Sequence, residues 1–208
     1  MKLSIKNVSF GYGDTSIFKD LGFELGPGSS TWLGGQSGAG KSTFLKLIAG
    51  LLPAQSGDIS WNDSNFTKFD ENQRALFRRE NIGYGDQEVH LVPSWTVEQN
   101  LQLASDQSCV EILTEFELQA FKSKRVSTLS GGQKQRAMLA RLCLQKPKIL
   151  LLDEPTAHLD DRTTELVMLA VKRHCADATT IVVSHDRRIG QWIGEQVIME
   201  HGGIRGAK

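Results

Sequence analysis

One stretch limits the fold of this chain more than any other. Gly35-Gln36-Ser37-Gly38-Ala39-Gly40-Lys41-Ser42-Thr43 follows the apolar segment Thr31–Leu33 and precedes Phe44, Leu45, Leu47, Ile48 and Leu51, which share one helical face until Pro53 ends it. The spacing G-x-x-x-x-G-K-S is that of a phosphate cradle. Its glycines let the backbone wrap until several N–H groups point inward at an anion. A helix starting at Lys41 adds its positive end. Lys41 suits the outer phosphates, and the Ser42 hydroxyl suits a Mg²⁺ ion. A strand, a loop and a helix joined this way belong in an α/β fold with a mostly parallel sheet.

The rest of the chain agrees. Leu3, Ile5, Val8 and Phe10 nearly alternate, and so do Phe18, Leu21, Phe23 and Leu25, giving two strands closed by glycine-containing turns. Ile59–Trp61 and Ile82–Tyr84 read as short strands, and 70–79 as a helix capped by Asp70. Residues 96–121 read as helices starting at Thr96, and 131–145 as a helix with Met138, Leu139, Leu142 and Cys143 inward. Strand and helix then alternate: 149–153, 161–174, 180–184, Arg187–Ile193 and 196–199. The expected architecture is a single unit over 1–208. It has a mostly parallel sheet core (1–92 and 129–208), an N-terminal antiparallel β layer and a short helical lobe over about 93–128.

Composition narrows the function. Lys+Arg and Asp+Glu are 24 each among 208 residues, so the net charge is zero and no nucleic-acid partner is expected. No run approaches the ~18 apolar residues of a membrane span, and the start MKLSIKNVSF lacks a signal-peptide apolar stretch. Cys109, Cys143 and Cys175 are odd in number and form no C-x-x-C, which reads as idle thiols in a reducing, intracellular setting.

Asp153 and Glu154 end the wholly apolar run ILLL, a pattern typical of a buried parallel strand. Ligands of α/β proteins gather at such ends. Asp153 suits a Mg²⁺ shell, and Glu154 is placed to polarise a water against a terminal phosphate. His185 ends a second apolar strand.

Between these motifs lies Leu129-Ser130-Gly131-Gly132-Gln133 at the start of a helix, a second anion-binding surface by its chemistry. With the cradle and the acidic strand end, it makes the chain resemble an ABC-family ATPase, the nucleotide-binding subunit of ATP-binding-cassette transporters. The likeness covers essentially the whole chain in the right order. It implies a P-loop NTPase fold of ABC type, with ATP and Mg²⁺ as ligands. It implies a homodimer or paired ATPases, packed head to tail so that Ser130–Gln133 serves the partner's nucleotide. It also implies an integral membrane permease as partner, and a place on the cytoplasmic face of the membrane. By the same resemblance Tyr12 stacks on adenine, Gln87 contacts metal and water, Asp160 reaches across the dimer, and His185 contacts the γ-phosphate.

SNFTKFDENQRALFRRENIGY and LVPSWTVEQNL are similar to the small ATPases of lipoprotein-releasing, macrolide-exporting and cell-division systems. Two departures stand out. Gly85-Asp86 replaces the family's usual apolar pair before the Gln, and should loosen that strand end. Only residues 88–128 separate Gln87 from Leu129, so the lobe is about one helix short. Leu91, Val92 and Trp95 read either as a docking cleft or as lobe core.

The function implied is ATP hydrolysis that drives a separate permease through dimer closure and reopening. The alternative is an ATPase switch acting on a membrane or cell-envelope partner without transport. A soluble ABC protein of the ribosomal or DNA-repair kind fits less well: there is one cassette, and residues 43–128 hold no coiled coil.

Overall fold

The computed structural model describes residues 1–200 and 202–206. Two antiparallel strands open it, β1 (Leu3–Tyr12) and β2 (Thr15–Leu25), followed by β3 (Ser30–Gly35), which leads through the glycine-rich loop into α1 (Lys41–Ile48). Next come β4 (Ser56–Trp61), β5 (Ser64–Asn65), α2 (Glu71–Asn81) and β6 (Ile82–Gly85). The middle of the chain holds α3 (Val97–Gln102), α4 (Val110–Glu115) and α5 (Gly131–Leu144). The last part is β7 (Ile149–Asp153), α6 (Asp161–His174), β8 (Thr179–Val183), β9 (Glu195–Glu200) and β10 (Gly203–Gly206).

The strands form two sheets. A four-stranded antiparallel sheet runs β2-β1-β4-β5, and a six-stranded sheet runs β10-β9-β3-β8-β7-β6, parallel except at β10. Alternation along β7 shows how the layers are joined. Ile149 and Leu151 pack with α1 and the antiparallel sheet, whereas Leu150 and Leu152 pack with α5, α6 and the middle helices. A strand covered on both faces must be apolar throughout, which is why ILLL carries no polar residue. The strand order places β3 beside β8 and β8 beside β7. The cradle after β3, Glu154 after β7 and His185 after β8 therefore leave the sheet at one edge.

Three expectations need correction. Residues 96–121 are not mainly helical: α3 and α4 are six residues each, Leu103–Cys109 between them is non-helical, and Gln119–Phe121 is a 3₁₀ turn. The interruption is local chemistry, because the Ser105 and Ser108 hydroxyls accept the Gln107 and Val110 N–H groups and compete with helix. The Arg187–Ile193 helix is a 3₁₀ helix over Arg187–Gln191, held at its start by Asp186 accepting the Arg188 N–H. Gly85, finally, does not open the strand end: it pairs with Leu152 in register. A Cβ there would meet Leu152 Cδ2 at 2.9 Å, Leu142 Cδ1 at 3.2 Å and Met138 Cε at 3.4 Å, so neighbouring side chains fill the space. Of the three residues read as cleft or core, Leu91 is buried, Val92 half-buried and Trp95 exposed. No helix among the described residues is long and apolar enough to cross a membrane.

Candidate functional site

The glycine-rich loop has the backbone that only glycine supplies easily. Gly35 has φ +140° and Gly40 φ +95°. A Cβ on Gly35 would lie 2.4 Å from the Met199 carbonyl oxygen, and one on Gly40 2.8 Å from Ile17 Cγ2. Gly40 caps α1 with no side chain of its own in the way, so the helix N-terminus opens onto the loop.

Around that opening lies a cavity of about 300 Å³. Ser37, Gly38, Gly40, Lys41, Ser42 and Thr43 line it from the loop side. Gln87, Asp153, Glu154 and His185 close it from the sheet edge, so residues more than a hundred positions apart in sequence converge. Of the other residues expected here, Gly35 and Gln36 act through their carbonyls, which accept the Lys41 ammonium at 2.9 and 2.8 Å. Ala39 packs against the core under the loop. Tyr12 stands outside the cavity walls, half exposed, with its ring edge-on to Phe10 at 5.0 Å.

Electrostatics single out two groups. Burial pushes the Lys41 pKa down, while Glu154 and Asp153 hold it up. Burial raises the Asp153 carboxyl, and Glu154 and Asp86 add to the rise while the Ser42 hydroxyl opposes it. Asp153 is 2% exposed and its Oδ2 has no hydrogen-bond partner. A buried carboxylate oxygen left open beside a serine hydroxyl is the donor set of a hard, oxygen-loving cation. Ser42, Asp153 and the Gln87 amide fit Mg²⁺ in this respect, and no cluster of three His, Cys, Asp or Glu competes for a metal among the described residues.

Glu154 has φ +48°, in the left-handed region that a non-glycine residue rarely occupies. Its carboxylate accepts the Ser184 hydroxyl and the His185 N–H, both at 3.0 Å, and lies 3.8 Å from His185 Nε2. Ser184 escaped sequence reading, although its place beside His185 in VVSH was the available signal. Asp86, read only as a departure, accepts the Gln87 N–H at 2.8 Å and approaches His90 at 3.5 Å. Ile17 and Val183 supply apolar walls that no motif announces.

The signature residues do not join this cavity. Ser130, Gly131, Gly132 and Gln133 line a separate depression of about 470 Å³, together with Arg136, His158 and Asp160. Ser130 and Gln133 form a reciprocal cap on α5, with the Gln133 carbonyl 2.9 Å from the Ser130 N–H. Asp160 caps α6 by accepting the Thr163 N–H at 2.8 Å, which holds its carboxyl below the usual range. The glycine-rich loop and the signature residues thus line two separate concave surfaces of one chain.

The ABC transporter family profile matches residues 18–157. A candidate hemin import ATP-binding protein, HrtA of Staphylococcus haemolyticus, is 34% identical over 222 residues, covering 98% of this chain and 99% of its own. The Staphylococcus aureus protein of that name is 34% identical over 213 residues, covering 96% of each chain. Among solved structures, the dimeric bacterial ABC transporter cassette MJ0796 superposes with a TM-score of 0.89 at 28% identity, covering 99% of this chain and 98% of that one. Its dimeric post-hydrolysis state, bound to ADP and Pi, gives 0.88 at 27% identity over the same shares. The chain belongs to the ABC transporter family, as an ATP-binding and ATP-hydrolysing subunit.

Proposed function

We propose that two copies of this chain, or this chain and a paired ATPase, close head to tail around two Mg-ATP and so drive a membrane permease. The observation that carries the reading is the separation of the two anion surfaces: the signature depression shares no residue with the loop cavity. A second copy brings Ser130–Gln133 and Asp160 to the open side of the first copy's cavity. Dimeric structures of the similar cassette MJ0796 support this.

Each residue then has a physical task. The amides of residues 37–43, the α1 terminus and Lys41 take the phosphate charge in a partly dry site, where such donors act most strongly. Lys41 holds the loop through Gly35 and Gln36 until phosphate oxygens replace those carbonyls. Ser42, Asp153 and Gln87 would hold Mg²⁺, which would neutralise charge on the outer phosphates. Glu154 orients the attacking water, its own carboxylate aimed by Ser184 and the His185 N–H. His185 and Gln87 touch the γ-phosphate end, so its loss removes their contacts and releases the closed form. Tyr12 offers a ring to adenine from the end of β1.

The core 1–92 and 129–208 binds nucleotide in this reading, and 93–128 faces the permease. The chain works at the cytoplasmic face of the membrane. The relatives' names point to hemin as a candidate cargo class. The test is affinity recovery of the Glu154→Gln protein from native membranes with Mg-ATP. A multi-span permease in about equal amount supports the reading. Recovery of the closed dimer with soluble proteins alone would replace it with a cytosolic ATPase.

A further inference from the structure

Two of the three cysteines meet in the interior. Cys143 lies in the last turn of α5 and Cys175 caps the C-terminus of α6, with their sulfurs 4.0 Å apart. Both are free thiols. Cys175 also lines a cavity of about 350 Å³ between α6 and the sheet, walled by Met168, Val171, Val182 and Trp192. Cys143 is buried behind it and is not part of the cavity wall. A small neutral oxidant entering the cavity therefore meets Cys175 first. Cys109 stands apart, at the start of α4.

We propose that Cys143 and Cys175 form a modification site for a small hydroperoxide such as hydrogen peroxide, closing as an intramolecular disulfide. The Cys175 thiol gives up its proton and the thiolate attacks one peroxide oxygen; an S–O bond forms, the O–O bond breaks, and the departing hydroxide takes up that proton to become water. The Cys143 sulfur then attacks the Cys175 sulfenic acid. An S–S bond forms, the S–O bond breaks, and the leaving hydroxide takes the Cys143 proton as a second water. Two thiols and one peroxide give one disulfide and two waters. The division of labour follows the surroundings: the facing Cys143 thiol draws the Cys175 pKa down against burial, whereas Cys175 and burial push Cys143 up.

The bond would tie the far ends of two helices whose starts build the signature depression, Ser130–Gln133 on α5 and Asp160 on α6. It would close the loop 144–174, which limits the unfolded chain and raises the melting temperature.

The test uses the native protein with a few equivalents of hydrogen peroxide, then a thiol quench, peptide mass spectrometry and a thermal melt. A Cys143–Cys175 linkage should form, with Tm higher by roughly 5–10 °C and full return on adding dithiothreitol. Cys109→Ala should oxidise identically, and Cys143→Ala should leave Cys175 as sulfenic or sulfinic acid. Faster oxidation of Cys109, sulfinic Cys175 with Cys143 intact in the native protein, or no reaction until the protein unfolds would each overturn the proposal. The wild-type readings need no variant to fold.

Discussion

Asp153→Asn separates what this carboxylate does for the site from what it costs the fold. The native side chain is 2% exposed, one of its oxygens lacks any partner, and burial already pushes its pKa up. An unsatisfied buried polar group costs about 1–3 kcal/mol, more if charged. The Asn amide keeps the shape and removes the charge, but its NH₂ still needs partners, so the net gain for metal-free protein at neutral pH should be about 1 kcal/mol. For a chain of this size that is roughly 2–4 °C in Tm. Added Mg-ATP should then raise the wild-type melting temperature much more than the variant's, and turnover in the variant should fall by ~10² or more, the scale of losing a transition-state charge stabiliser. Scanning calorimetry with and without Mg-ATP, beside a phosphate-release assay, reads all three. A metal-free variant several degrees less stable than wild type would refute the reasoning, because the carboxylate would then be satisfied by the protein and not held open for a cation.

Three further outcomes are expected. Gly85→Val forces two methyls against Leu152, Leu142 and Met138, an overpacking of about 1–3 kcal/mol that a urea melt should show; an unchanged midpoint would mean the space is not filled. Lys41→Ala should weaken ATP binding by about 10–100-fold in a fluorescent-nucleotide titration, and wild-type affinity would remove Lys41 from phosphate binding. Burial raises the Glu115 carboxyl, but His174 at 2.7 Å and Arg173 outweigh it and hold the pKa below 4.5, so the contribution is present above that value and lost as pH falls through the folded pKa; Glu115→Gln should cost about 1 kcal/mol at neutral pH and progressively less below about pH 4.5, and a cost independent of pH would contradict the pairing.

Sequence periodicity located most of this fold where one residue type answered to one environment. ILLLD became β7 with its stated ends, and the face of 161–174 became α6, because a strand buried on both sides and a helix buried on one leave unmistakable patterns. The phosphate loop was legible because its glycines answer to backbone demands that few other residues meet. The middle of the chain was not, since Ser105 and Ser108 break the helical pattern through hydrogen bonds that composition does not reveal. Gly85 misled for a different reason: its environment is made by Leu142 and Leu152, distant in sequence. The same holds for the meeting of Cys143 with Cys175, and for Ser184 aiming Glu154, which are contacts set only by the packing of α5, α6 and β8.

The central claim is that a second copy completes the nucleotide site. The most direct measurement is sedimentation equilibrium of Glu154→Gln, in which slowed hydrolysis leaves the closed form to accumulate. With Mg-ATP the mass should rise from 23.0 kDa to twice that value, and it should return to one copy with Mg-ADP or when Ser130→Phe blocks the signature surface. A variant that binds Mg-ATP tightly yet stays at the mass of one chain would contradict the account.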